Sequence, residues 1–285
     1  MKTSVSLALL CAVLLILSSC KGSETQPTFI NFKTGYDGLS MQLLPQYPPR
    51  TVFEGGSTSI AVRVQNRGAY TLENGRLAVI GLNQVASPLV EDEQLMDILG
   101  GRNIGNSEGD FSIHEFQTQE LLVPAGAREY RAKFFVLAEY DYESTMSTDV
   151  CINPALITLE KSEVCTPQER QSFGGQGGPM SISSVEQRVQ RTGDLLFSQF
   201  IFTIENRGDG DLISPVRIAE VRLGPRLLTC DKRELTPQHI KSKKNQIICS
   251  TTETIEDSYK TTLSASLFYT YSETIPGEFT IKKRN

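Results

Sequence analysis

The chain has 285 residues, 39 % hydrophobic and 21 % charged, with a formal charge of −5, no Trp and two His. That length suits one large or two ordinary domains, and the composition is that of a globular chain rather than a disordered one. The acidic balance argues against nucleic acid as a partner, because phosphate binding needs a basic surface.

Residues 1–20 read MKTSVSLALLCAVLLILSSC: one Lys, an apolar run from Val5 to Leu17, then small residues. This is the layout of a secretory signal, and the run is shorter than the ~20 residues that span a bilayer. Leu17-Ser18-Ser19-Cys20 resembles the lipobox of prokaryotic lipoproteins. The resemblance implies removal of residues 1–19, a diacylglyceryl group on the Cys20 sulfur, and anchoring in membrane lipid on the extracytoplasmic side. A cleaved soluble form and an uncleaved helix are the alternatives. Cysteine counting agrees with lipidation: Cys11 leaves with the signal, Cys20 is modified, and Cys151, Cys165, Cys230 and Cys249 remain for two bridges in an oxidising compartment. Residues 20–37 then read as the lipidated Cys and a polar tether.

Residues 38–152 form the first repeating unit. Ile60, Val62 and Val64 alternate with Ala61, Arg63 and Gln65, so this segment reads as a strand with one buried face. It ends in Asn66-Arg67-Gly68, a reversal in which Asn and Gly supply left-handed backbone, and residues 77–80 follow as the second arm of a hairpin. Residues 91–99 have the pattern of one or two helical turns. The insertion at 97–116 carries four glycines and reads as pliable, and insertions on such scaffolds are where binding specificity sits. Alternation returns along residues 132–142, ending in Tyr140 and Tyr142, and a separate short strand follows at about 147–152.

The connector, 153–178, contains the glycine-rich GGQGG at 174–178 and reads as a flexible joint. Residues 179–285 repeat the first unit. Phe200, Phe202 and Ile204 lead to Asn206-Arg207-Gly208, then 216–218, and a strand alternating from Leu263 ends in Tyr269 and Tyr271, with a last strand near 278–283. Two units with one strand order predict an all-β chain of two tandem immunoglobulin-like β-sandwiches.

A strand, an Asn-x-Gly turn, a second strand and then Leu-x-x-Pro-x-Gly before a late strand is similar to the CARDB and NEW3-type immunoglobulin-like modules of prokaryotic surface proteins. Here those residues are Asn66-Arg67-Gly68 and Leu121-Leu122-Val123-Pro124-Ala125-Gly126. The two-unit layout also resembles archaeal envelope proteins. The second unit lacks the Pro-x-Gly step. The resemblance implies a fold and an envelope setting, and it brings no catalytic residues.

Four cysteines allow three pairings, of which the local one, Cys151 with Cys165 and Cys230 with Cys249, keeps each bridge within one unit or its border. Their spacing is too wide for zinc, and neither His114 nor His239 stands at ligand distance from another candidate, so no metal or cofactor is expected. The acids of the 97–116 insertion, with Glu91, Asp92 and Glu93 nearby, and Asp209 and Asp211 raise calcium, without an EF-hand spacing to support it. No nucleophile motif is present, which leaves a non-catalytic role. The one basic cluster, Lys232, Arg233, Lys241, Lys243 and Lys244, reads either as a solvated loop or as a contact loop for an envelope protein or glycan. The expected role is membrane-anchored binding, adhesion or structural spacing; a docking subunit of a surface or secretion assembly is the alternative, and an unrecognised hydrolase with a triad built on His114 or His239 is the third reading.

Overall fold

Period-two alternation sets the strands. In the first half, β1 (Leu39–Leu43), β2 (Thr51–Phe53), β3 (Ser59–Asn66), β4 (Glu73–Ile80), β5 (Glu93–Leu95) and β6 (Phe111–Gln117) lead to β7 (Glu129–Ile152). The second half contains β8 (Arg170–Ser172), β9 (Met180–Thr192), β10 (Leu195–Asn206), β11 (Asp211–Leu212), β12 (Val216–Leu223) and β13 (Arg226–Leu227). After these come β14 (Thr229–Cys230), β15 (Glu234–Leu235), the short helix α1 (Pro237–Lys241), β16 (Gln246–Thr254) and β17 (Tyr259–Lys282). The computed structural model describes residues 31–153, 165–254 and 257–284. The segment read as a signal peptide, Cys20 and the start of the expected tether lie outside the described residues.

Strands β1, β3 and β6 form one small sheet, and β14, β16, β10, β9 and β8 form another. The third sheet has nine strands, with β13-β12-β17-β7-β4-β5 as its path and β2, β11 and β15 joined alongside. At its centre β7 and β17 pair antiparallel over all 24 residues of each, from Glu129 opposite Lys282 to Ile152 opposite Tyr259. Even-numbered residues of β7 from Ala132 to Met146 are buried, as are odd-numbered residues of β17 from Leu263 to Tyr271 and then Phe279 and Ile281. One face of the long pair is therefore apolar over most of its length, interrupted by Ser144 and Glu273, and the two small sheets cover it. The result is two immunoglobulin-like β-sandwiches that share a sheet. Their buried side chains form one hydrophobic cluster, and Phe32–Asn285 is one compact unit. Each fully buried Leu, Val or Phe in that cluster contributes about 1.5–3 kcal/mol.

The structure departs from the sequence reading at five places. Asn66-Arg67-Gly68 is not a hairpin turn: β3 lies in a small sheet and β4 in the shared one, so the corner carries the chain across the sandwich. Asn206-Arg207-Gly208 does the same between β10 and β12. The expected short last strands are the far halves of β7 and β17, because Ser144 and Met146 keep the inward alternation going. Residues 91–99 hold β5 in place of helical turns, anchored by Ala78 opposite Glu93. Finally, residues 176–178 are buried rather than loose. A Cβ on Gly175 would overlap the backbone of Gly35, and one on Gly178 would meet Ser144 Oγ at 2.6 Å and Tyr269 Oη at 2.8 Å. These glycines serve close approach, not freedom.

Candidate binding groove at the seam between the sandwiches

Where the two Tyr-x-Tyr segments meet, Tyr140 lies opposite Tyr271 and Tyr142 opposite Tyr269. The four rings pack edge-on or tilted, with centroids 5.8 to 6.3 Å apart. Such contacts add to plain area burial, and each buried hydroxyl needs a partner. The repeated corners supply two of them. Tyr142 donates to Asn66 Oδ1 at 3.1 Å and Tyr271 donates to Asn206 Oδ1 at 2.9 Å. Each Asn also accepts from the glycine N–H two residues on, and donates to the carbonyl four residues on, Tyr70 and Gly210 respectively. The first tyrosine of each pair accepts from the start of a small-sheet strand: Leu39 N reaches Tyr140 Oη at 3.1 Å and Met180 N reaches Tyr269 Oη at 3.4 Å. Gly177 adds its carbonyl as a second acceptor for Tyr142.

This duplicated network also explains the glycines of the two tripeptides. Neither has the left-handed backbone that a reversal would need. A side chain on Gly68 would overlap Tyr142 Oη, and one on Gly208 would meet Tyr271 Oη at 2.7 Å. Burial pushes the tyrosine hydroxyls up, Tyr271 to about 12. The copies also differ in the partner of the first tyrosine. Tyr269 shares a hydrogen bond with Ser144, whereas Tyr140 donates to Glu273 at 2.6 Å. Burial, with Asp209 and Asp37 nearby, raises the Glu273 carboxyl to about 7.

On the opposite face of the shared sheet the seam opens into a groove of about 850 Å³. Its floor is the outward side of β7 and β17, carrying Asp141, Glu143, Phe268 and Thr270. Its walls are residues 69–74 and 214–217, the segments that follow the two repeated corners. The carboxylate of Asp141 is held by Asn74 Nδ2 at 2.9 Å and Thr270 Oγ1 at 2.7 Å, and Glu143 accepts from Thr145 Oγ1 at 3.0 Å. The Arg217 guanidinium lies over the Phe268 ring, 5.1 Å from its centroid. Tyr70 bonds both the N–H and the carbonyl of Thr145 through its hydroxyl, which ties this wall residue to β7. Glu73 and Glu234 line the same groove without an ion pair among the described residues. The lining thus offers oriented acceptors and aromatic surface under a negative field.

The residues singled out from sequence fall elsewhere. Cys151 is bridged to Cys165, and Cys230 to Cys249. The second bridge joins directly opposed residues of β14 and β16, at the base of the basic loop. In that loop Lys232, Arg233, Lys241, Lys243 and Lys244 are all exposed, and only Lys241 has an ion pair among the described residues, with Asp211 at 3.1 Å. His239 closes a capping box with Thr236 at the start of α1. His114 is buried beside Ser112 Oγ at 3.0 Å, and burial lowers its pKa. The insertion is clamped to the first corner, with Asn66 Nδ2 on Leu99 O, Arg102 N on Gly68 O and Asn66 N on Asp110 O. Sequence reasoning missed Asp141, Phe268 and Tyr70. The available signal was that Asp141 and Thr270 are the middle residues of the two Tyr-x-Tyr segments, outward by parity.

No family model and no curated protein matches the chain. Among solved structures it is similar to a chain of the chaperone–tip adhesin complex of CFA/I fimbriae, at 9 % identity and a TM-score of 0.20, over 78 % of this chain and 92 % of that one. The partial N-terminal region of an enterococcal surface protein matches at 8 % identity and a TM-score of 0.22, over 86 % of each chain. The class 5 fimbriae chaperone CfaA matches at 9 % identity and 0.20, over 77 % and 84 %. Likenesses of this size carry no argument about function.

Proposed function

We propose that this protein is a non-catalytic envelope lipoprotein, anchored through Cys20 and built of CARDB/NEW3-like modules, that binds a neutral or amino-sugar glycan in the seam groove. The observation that carries the reading is the groove itself, in which Asp141 and Glu143 are preoriented acceptors beside the half-buried ring of Phe268. Sugar hydroxyls need acceptors fixed in place, and a pyranose face needs a ring to lie on. Four carboxylates against one guanidinium favour amino sugars over acidic ones. The two disulfides fit an oxidising, extracytoplasmic compartment. Titration of the full chain with a glucosamine tetramer tests the reading. Asp141→Asn and Phe268→Ala should each weaken binding at least tenfold, and unchanged affinity in both sinks it.

A second reading rests on the basic loop, whose base is stapled and whose cations, Lys241 apart, have no ion pair among the described residues. In it the loop docks an acidic partner of a surface assembly. Replacing Lys241, Lys243 and Lys244 by Ala should then abolish co-purification of that partner, and intact co-purification excludes this reading.

A further inference from the structure

A second cavity, of about 660 Å³, lies on the outward side of β3, away from the seam groove. Arg63 enters it from β3, Arg67 from the corner, and Asp97, Ile98, Glu108 and Phe111 from the insertion. The walls are fixed by the chain's own bonds: Gln65 Nε2 holds the Glu108 carbonyl at 2.9 Å, and Asp110 N bonds Gly100 O at 3.0 Å. The side chain of Asp110 is engaged by Gly100 N and Asn106 Nδ2. Arg63 is not so engaged. Its guanidinium stacks over Phe111, 4.2 Å from the ring centroid, and its Nε is buried with no acceptor among the described residues. It makes no ion pair among the described residues, although carboxylates line the same cavity. A guanidinium fixed over a ring with its outer edge free is a preformed fork for a planar anion.

We infer that this cavity binds a carboxylate-bearing saccharide, with a uronate carboxylate on Arg63. The sugar ring rests on the exposed surfaces of Phe111 and Ile98, 54 % and 70 % exposed. Asp97 and Glu108 accept from ring hydroxyls, and by the same charge they disfavour a dianionic phosphate or sulfate ester. The ligand is thus opposite in charge preference to that of the seam groove, and the two sites are independent.

Calorimetric titration of the full chain with tetragalacturonate and with its methyl ester tests this. The free acid should bind, the ester at least tenfold more weakly. Arg63→Gln should remove at least tenfold of the acid's affinity, Arg63→Lys should retain part of it, and Asp141→Asn should leave it unchanged. The acid–ester comparison uses the unaltered protein and so stands whatever the variants do to folding. Equal affinity for acid and ester, absence of binding by the acid, or full affinity in a folded Arg63→Gln protein overturns the inference.

Discussion

At the scale of single residues, the two repeated asparagines are the acceptors on which the tyrosine cluster depends. Replacing Asn66 by Ala leaves the Tyr142 hydroxyl and the Gly68 N–H short of a partner, at a cost of roughly 1–3 kcal/mol. Tyr142→Phe removes the other half of the bond, so chemical denaturation of the single and double variants should show coupling of about 0.5–3 kcal/mol. Additive losses would mean that the pair does not act together. Glu273 adds a pH dependence. Its folded value of about 7 lies above the ordinary 4.5, so the fold holds this proton more tightly than the unfolded chain does. That contribution is complete below about pH 4.5 and is lost as pH rises through 7, by roughly 3 kcal/mol at about 1.4 kcal/mol per unit. The melting temperature should therefore fall between pH 5 and 8, and Glu273→Gln should flatten the fall. An equal slope in that variant would assign the dependence to another group. The residue-scale meaning of the tripeptide was not legible in sequence, because spacing cannot show that a tyrosine far along the chain, Tyr142 for Gly68 and Tyr271 for Gly208, would occupy the place of a glycine Cβ.

At the scale of elements, the strands were legible and their neighbours were not. Alternation at Ile60, Val62, Val64 and from Leu263 onward says which face is buried, and the structure buries those faces. It does not say which strand lies alongside, so the pairing of the two Tyr-x-Tyr strands with each other could not be read from it. Nor could the continuity of β17 through Pro276 and Gly277. Pro276 falls between the β11 and β2 pairings, where β17 has β7 as its one ladder neighbour, so a missing N–H is tolerated. Gly277 leaves room for the Phe134 ring. The stapled loop gives this scale its prediction. Replacing Cys230 and Cys249 by Ala frees a segment with a separation of 19 residues, and should lower stability by roughly 3 kcal/mol in the chain-entropy view. Because α1 and the exposed lysines lie inside that segment, amide exchange should quicken from 231 to 248 and stay unchanged in β7. Uniform quickening would show that the bridge supports the whole fold rather than the loop.

At the scale of the molecule, the shared sheet determines how the two halves can behave. The first sandwich uses β2 and the end of β17, and the second uses the far half of β7. Each half therefore completes its sheet with a strand that the other half provides. A chain cut to residues 32–152 would leave β7 without its 24-residue partner, exposing ladder groups and the buried rings of Tyr140 and Tyr142. Such an edge is long, apolar and open to wrong pairing, so the isolated half should aggregate or remain unfolded, and residues 179–285 alone should do the same. The whole chain should unfold in one calorimetric transition, with the calorimetric and van't Hoff enthalpies equal, because one hydrophobic cluster runs through both sandwiches. Two resolved transitions, or a soluble half with native dispersion in its amide spectrum, would show that the sandwiches fold as separate domains. Joint folding also bears on the groove. Its walls come from opposite halves and its floor from the strand pair that joins them, so a ligand there should raise the single transition as a whole and never split it.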